Sequence, residues 1–349
     1  MKNEAFPPLV SVLVTTYNQE NYIVQAIESI MMQVCNFSFE IVIGEDCSTD
    51  NTRQICIELQ KKYPEHLRLI LNPQNEGLIK NFYNTLSHCR GKYIAECAGD
   101  DFWNDPYKLQ KQVDILEKDP DIVLVHTAWN ELCNGKLSIR QKLDPLELRT
   151  GKEYTKQLMN QTTDVLVYTC SACYRRDTIE EIRKRYPPFF SNNYPCEDYQ
   201  LVFFLLQAGD FYYLNESTIT YRVLSESASH SSNPEKIFHF KWGVLQLHID
   251  IFNELKLNIL DASVYLKWVS HSLLLLSFKA KRKDLAEKAN QTFREIGFQI
   301  SFTDKLLLCI TENKFLFNGL HSSYLLMRKI KRSLRKNRTT KSLSHVTIS

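Results

Sequence analysis

The sequence predicts an α/β fold, a doubly wound and mainly parallel sheet, followed by a helical C-terminal region. Three observations lead there. Between Val10 and Cys97, short apolar, β-prone runs alternate four times with stretches of helical periodicity. Polar residues gather just beyond the carboxyl end of each run. From Glu235 onward the pattern turns to helices only.

The first run, Val10–Thr16, is apolar enough for a strand buried on both faces. Residues 20–32 follow with Ile23, Ala26, Ile27, Ile30 and Met31 at helical spacing. Residues 39–44 form a second strand, and Ser48 or Asp50 caps a helix whose inner face is Ile55, Leu59 and Tyr63. Leu67–Leu71 is the third strand, and a helix of about a dozen residues ends at Ser87. Residues 93–97 form the fourth strand, broken by Gly99 just before Asp100 and Asp101. Asp105-Pro106 reads as cap and first residue of the next helix, which carries Leu109, Val113 and Leu116. Residues 122–127 and 165–174 are strand-like, with Asn134-Gly135 as a hairpin signal between them and a short helix at 154–160. Residues 211–214 and 217–222 read as a β pair, and 224–234 as a Ser-rich loop. Helices are expected over 238–255, 262–278 and 285–296. The domains expected are 1–234, a helical region over 235–326, and a basic tail over 327–349.

Thr15 to Asn18, Glu45-Asp46, Asn75 to Gly77 and Asp100-Asp101 each follow a different strand. In an open α/β sheet the ligand crevice lies beyond the carboxyl ends of the strands, so four loops converge on one site. Neither GxGxxG nor GxxxxGK[ST] occurs, which argues against dinucleotide and P-loop binding. Adjacent carboxylates repel, and a divalent metal carried by a diphosphate would join Asp100 and Asp101. A second acidic pair, Glu197-Asp198, precedes a strongly apolar helix and lies in its favoured first turn.

A net charge of +3 gives no general argument for nucleic-acid binding. The 10 cysteines are scattered, and a single CxxC, Cys170 to Cys173, sits among strand-like neighbours, so it reads as core packing in a reducing compartment. Residues 1–8 lack an apolar signal core, and no run of about 18 apolar residues is seen, so no membrane span is expected.

The stretches Val10-Ser-Val-Leu-Val-Thr-Thr-Tyr-Asn18, Glu45-Asp-Cys-Ser-Thr-Asp-Asn-Thr52, Asn75-Glu-Gly-Leu78, Gly91-Lys-Tyr-Ile94, Gly99-Asp-Asp-Phe-Trp103 and Glu197-Asp198 resemble, in order and spacing, the family 2 glycosyltransferases of the GT-A fold. The resemblance covers residues 8 to about 230 and is of the bacterial cell-surface polysaccharide type. It implies a nucleotide-sugar donor such as a UDP-sugar, Mg²⁺ or Mn²⁺, an inverting transfer of hexosyl or N-acetylhexosaminyl type, and a glycan or lipid-linked acceptor. By the same resemblance Thr15, Tyr17 and Asp46 contact the base or ribose, with Asn18, Ser48, Asn75 and Gly77 beside them. Asp100 takes the metal place of the DxD triplet, with Asp101 next to it, and Asp198 takes that of the general base, with Glu197 as the alternative. The triplet here is Ala98-Gly99-Asp100, so its first Asp is missing, and Glu96 or Asp101 is left to compensate. No QxxRW follows Asp198, which favours one sugar per encounter over processive synthesis.

Trp103 and Tyr194, with Phe189 and Phe190, are candidates for an acceptor-sugar platform, and His230 for a group folding over the diphosphate. A nucleotidyltransferase would show a Gly-rich, basic loop after the first strand, and Thr15 to Asn18 has neither feature. A dead sugar-nucleotide-binding module would lack Asp100 or Asp198, and both are present. Leu325, Leu326, Ile330 and Leu334 interleave with Arg328, Lys329, Lys331, Arg332, Arg335 and Lys336, a pattern suited to peripheral contact with an anionic membrane. The expected location is the cytoplasm, at the inner face of the cell membrane.

Overall fold

The computed structural model describes residues 7–139, 147–151, 154–161, 167–224 and 231–313, with only the backbone of 147–149 and 312. The tail and His230 lie outside the described residues. The chain forms two compact units. The first comprises Met1–Ser225 and Leu247–Leu255, the second Glu226–Gln246 and Lys256–Ser349.

The first unit is built on one sheet. Its amino-terminal half holds β1 (Val10–Thr16), β2 (Phe39–Glu45), β3 (Leu67–Leu71) and β4 (Tyr93–Ala98), joined through α1 (Ile23–Met31), α2 (Thr52–Lys62) and α3 (Leu78–Ser87). These strands lie parallel in the order β3-β2-β1-β4. Ile23, Ala26, Ile27 and Ile30 of α1 join Val10, Val12 and Val14 in one buried core. Such burial supplies on the order of 1.5–3 kcal/mol per large aliphatic side chain.

Then follow β5 (Phe102–Trp103), α4 (Lys108–Lys118), β6 (Ile122–Cys133), β7 (Lys136–Ile139), β8 (Glu147–Thr150), α5 (Thr155–Asn160), β9 (Cys173–Arg175), α6 (Arg176–Arg185), α7 (Pro188–Ser191), α8 (Asp198–Ala208) and β10 (Asp210–Arg222). The sheet continues β4-β9-β6-β10-β5, with β7 on β6 and β8 on β10. β9 runs antiparallel to both β4 and β6, whereas β6 and β10 are parallel. Asn134 and Gly135 both take positive φ, 49° and 75°, as the two-residue hairpin turn between β6 and β7 requires.

Several elements differ from the sequence reading. Residues 211–214 and 217–222 are one long strand, because Asn215 and Glu216 form a bulge against β6 instead of a hairpin turn. The strand expected over 165–174 shrinks to β9, preceded by a 3-10 turn at Thr169–Ser171. The helix expected at Pro106 starts at Lys108, since the Asp105 carboxylate accepts from the Tyr107 N–H at 2.9 Å in a separate turn. α2 buries Thr52, Cys56 and Leu59, a face turned slightly from the one expected. All ten cysteines are free thiols, and Cys173 is buried in the core.

α9 (Pro234–Glu254) is counted partly in each unit. The second unit adds α10 (Ser263–Ala280), α11 (Lys283–Glu295) and α12 (Phe302–Glu312). α10 packs on α11 and α12 and buries Leu266, Val269, Leu273 and Leu274. The sequence reading omitted α12, although the Ser301 hydroxyl caps it by accepting from the Asp304 N–H at 3.1 Å. It also missed that residues Ile259–Ala280 are long and apolar enough to cross a membrane.

Candidate active site

The crevice begins where the four parallel strands end. The Asp46 N–H donates to the Thr16 carbonyl, Asn72 N–H to Glu45, and Gly99 N–H to Thr15, at 3.0–3.1 Å. These bonds tie the ends of β1, β2, β3 and β4 into one edge. Gly44 on β2 leaves the room that α3 fills: a Cβ there would lie 1.9 Å from Thr85 Oγ1. Close packing of α3 brings its first residues to that edge.

Asp46 is buried and organises the nucleotide-side loops. Its Oδ1 accepts from the Glu76 N–H at 2.9 Å and from Asn72 Nδ2 at 2.8 Å, and its Oδ2 accepts from the Gly77 N–H at 2.9 Å. Gly77 adopts φ +84°, which a side chain would strain. Asn75 Nδ2 donates to the Asp46 carbonyl at 3.3 Å. Opposite, the Asn18 N–H donates to Ser48 Oγ at 2.9 Å, and Asn18 Oδ1 accepts from the Thr49 N–H at 2.8 Å. The Ser48 N–H in turn donates to Glu45 Oε1 at 2.7 Å, and Glu45 is paired with Arg53. Tyr17 stands exposed beyond Thr15. Thr15, Tyr17, Asn18, Asp46, Ser48, Asn75 and Gly77 are thus brought to the ends of β1, β2 and β3.

At the end of β4 the two carboxylates differ. Asp101 is 1% exposed; its Oδ1 accepts from the Arg222 N–H at 2.9 Å, and its Oδ2 is buried beside the Cys170 thiol. Burial, then repulsion from Asp100, pushes the Asp101 carboxyl well up. Asp100 is more open, and burial raises it as well, against the pull of Arg222. Gly99 allows this turn, since a Cβ would meet Gln19 Oε1 at 2.3 Å. The Arg222 guanidinium donates to the Asp100 carbonyl and to Gln25 Oε1, and lies over the rings of Phe102 at 4.6 Å and Tyr22 at 5.1 Å. Sequence reasoning missed Arg222; a lone cation closing an apolar strand was its signal.

Among the described residues no three His, Cys, Asp or Glu side chains group as a metal site. At the end of β4 the Asp100–Asp101 pair would be the donor set for a divalent ion, with one buried oxygen on Asp101 lacking a nitrogen or oxygen donor. That fits an ion that arrives with a diphosphate, since Mg²⁺ takes one or two carboxylates and completes its shell with phosphate oxygens and water.

The second acidic pair sits at the start of α8. Asp198 is its first residue and reaches solvent, while Glu197 is half-buried. Although Asp198 reaches solvent, the protein packed around the pair disfavours the charged forms. Burial and then Asp198 push the Glu197 carboxyl up to about 8, and burial raises Asp198 against bonds from the Cys196 thiol and the Tyr199 N–H. Tyr83 of α3 donates its hydroxyl to the Glu197 carbonyl at 3.2 Å, linking this pair to the helix that starts at Gly77. Glu96, buried on β4, accepts from the Tyr174 hydroxyl at 2.8 Å and lies within electrostatic reach of Asp198 and Glu197. Glu96 thus lies within reach of the Glu197–Asp198 pair and a tyrosine.

The aromatic platform is corrected. Trp103 is buried, with Lys108 Nζ 4.5 Å over its ring, and Phe189 and Phe190 are buried too, so none presents a free face. Tyr194 is half-buried, and its hydroxyl donates to Asp250 at 2.8 Å.

Residues 11–183 match the family model described as glycosyl transferase family 2. The chain belongs to that family. An uncharacterized protein of Mycobacterium tuberculosis is 43% identical over 112 residues, 32% of each chain. EpsE of Bacillus subtilis, described as a glycosyltransferase, is 38% identical over 121 residues, 35% of this chain and 43% of EpsE. TuaG of Bacillus subtilis, described as a teichuronic acid biosynthesis glycosyltransferase, is 33% identical over 109 residues, 31% of this chain and 42% of TuaG. The matches span less than half the length of these relatives. The crystal structure of residues 1–349 of Staphylococcus aureus TarS in complex with UDP superposes with a TM-score of 0.54 at 16% identity, covering 91% of each chain. At that identity the likeness is one of fold. The family 2 glycosyltransferase thus has the GT-A-like mixed sheet and a helical C-terminal region.

Proposed function

We propose that this glycosyltransferase moves one sugar per encounter from a nucleoside-diphosphate donor, a UDP-sugar, to a hydroxyl of a glycan or lipid-linked acceptor, with inversion, in cell-surface polysaccharide synthesis. The observation that carries the reading is the pairing of two acidic centres in one unit. Asp100 and Asp101 lie beside Arg222 at the end of β4, and the solvent-reaching Asp198 heads α8.

Each group has a chemical task. Thr15, Tyr17, Asn18, Ser48, Asn75 and Gly77 surround the base and ribose, with Asp46 holding their loops in shape. Asp198 takes the proton of the acceptor hydroxyl, and its raised basicity suits that role. The acceptor oxygen then forms its bond to the anomeric carbon as the bond to the diphosphate oxygen breaks. A single displacement of this kind inverts the centre. Arg222 places fixed positive charge beside the departing diphosphate. Asp100, with Asp101, would hold Mg²⁺ or Mn²⁺, which when bound neutralises charge on the leaving group. Tyr194 is the remaining acceptor-side aromatic.

UDP in the TarS crystal and the teichuronic acid role in the description of TuaG support the choice of donor and pathway class. The basic stretch over 327–349 would hold the enzyme peripherally at the inner face of an anionic membrane. The test is transfer and donor hydrolysis with a panel of UDP- and GDP-sugars of hexose and N-acetylhexosamine type, with and without a chelator. Turnover of a UDP-sugar that stops on chelation is expected. No turnover of any donor in the presence of Mg²⁺ or Mn²⁺ overturns the reading.

A further inference from the structure

α10 is apolar on nearly every side. With the turn before it, Ile259–Ala280 contains an 18-residue window of mean hydropathy 1.2. A helix apolar all round is normally covered all round. One side of α10 is covered. Leu266, Val269, Leu273 and Leu274 are buried, and Ser270 Oγ and His271 Nδ1 reach Asp304 of α12 at 3.3 and 2.8 Å. Among the described residues the other side is not. Val264 and Trp268, one turn apart, are each 52% exposed, and exposed Leu257 and Leu260 extend the stripe into the turn before the helix. On α12, Phe302 is 81% exposed and Leu306, one turn on, is exposed as well.

Basic residues border the α10 stripe. Lys241 places Nζ 4.1 Å over the Trp268 ring and donates to Ser272 Oγ at 2.8 Å. Lys256 and Lys267 are exposed alongside, against the exposed acids Glu254 and Asp261. Lys305 is exposed between Phe302 and Leu306.

We propose that this uncovered face of α10 docks the second unit onto an anionic membrane surface, with Trp268 entering the headgroup layer. A tryptophan with a lysine laid over it suits that layer, because the ring is buried at the apolar boundary while the ammonium stays with the lipid phosphates. Charge selects the occupant. The sequence beyond α12, residues 314–349, holds nine Lys and Arg and no Asp or Glu. An apolar stripe and a large excess of cations in one unit are the two components of peripheral binding to anionic lipid. The face is independent of the basic stretch, since it consists of described side chains on a packed helix.

The test uses the full chain and vesicles of phosphatidylcholine with and without phosphatidylglycerol, some carrying brominated acyl chains. Trp268 is the tryptophan more than half exposed, so its emission should be quenched by brominated lipid in anionic vesicles and not in neutral ones. Trp268→Phe should remove most of that quenching while leaving co-sedimentation. Val264→Asp with Trp268→Asp should lower the vesicle partition coefficient by at least about tenfold, the effect of losing burial of two half-exposed side chains. Both positions are half in solvent, and an unchanged melting temperature confirms folding. Three results overturn the proposal. Binding without quenching means that the basic stretch acts alone. Equal binding by the double variant removes the face from the contact. A lipid-free dimer that the double variant dissociates makes the face a contact between copies. None of these measurements depends on sugar transfer.

Discussion

Glu96→Gln isolates the buried acid within electrostatic reach of the Glu197–Asp198 pair. Glu96 lies in the interior of β4 and accepts from the Tyr174 hydroxyl. Burial pushes its carboxyl from the ordinary 4.5 up to about 7, with bonds from Tyr174 and Thr169 opposing and Asp198 adding to the rise. The folded pKa lies above the unfolded one. The folded state therefore keeps the proton longer as pH rises, so the site's contribution to stability is full below about 4.5 and is lost as pH passes through about 7. A gap of that size corresponds to about 3 kcal/mol, to order of magnitude. Gln offers the same acceptor to Tyr174 and does not titrate. The variant should match the wild type near pH 4.5, gain on it up to about pH 7, and hold a constant lead from there to pH 8.5. For a unit of this size the gain is roughly 6–12 °C in melting temperature. Thermal unfolding of both proteins across that pH range reads the difference. A difference in melting temperature that does not change with pH refutes the reasoning.

Asp198→Asn keeps the shape and removes the basicity, so kcat should fall about a hundredfold to ten-thousandfold with donor affinity nearly unchanged. A loss below about tenfold points to Glu197 as the base, or to no dedicated base. Because burial raises Asp198, wild-type kcat should climb with pH through a range above that of an ordinary aspartate, and the Asn variant should lose that limb. Asp100→Ala should abolish the tightening of UDP binding by Mn²⁺ in calorimetry, and a retained metal effect would remove Asp100 from the metal. Asp46→Ala leaves the Glu76 and Gly77 N–H groups without their acceptor, at about 1–3 kcal/mol, so UDP affinity should drop roughly tenfold to a hundredfold. Unchanged affinity would sink that assignment.

The parallel half of the sheet was legible because each strand there is a mostly apolar, β-prone run and each helix keeps one apolar face. β9 was not, because three residues carry no period, and their pairing is set by β4 and β6 on either side. The bulge in β10 imitated a turn: Asn215-Glu216 is polar and sits between two β-prone runs. At the candidate site, the motifs singled out Asp100, Asp46 and Asp198, and the structure places each beyond a strand end or at a helix start. Arg222 and Tyr83 were not, since each acts through a contact distant in sequence: Arg222 with Asp100, Tyr83 with Glu197. Trp103 misled because an aromatic beside a carboxylate reads alike whether it lines a crevice or closes a core. Here a lysine buried beneath it decides for the core.

The shortness of β9 also bears on the order in which the chain folds. β1, β2 and β3 pair across fewer than thirty residues, and β4 joins β1 across 83 residues but through a ladder of six pairs. In the ladder, β6 and β10 join that half through β9, whose Cys173, Tyr174 and Arg175 pair with residues dozens of positions earlier. Closing loops of that length costs entropy that three residues of ladder repay only after both neighbours exist. The β3-β2-β1-β4 half is thus expected to form early, and the β9 joint late. Substitutions at Cys173 should then speed unfolding and leave the refolding rate nearly as it was, the mark of a contact made after the barrier is crossed.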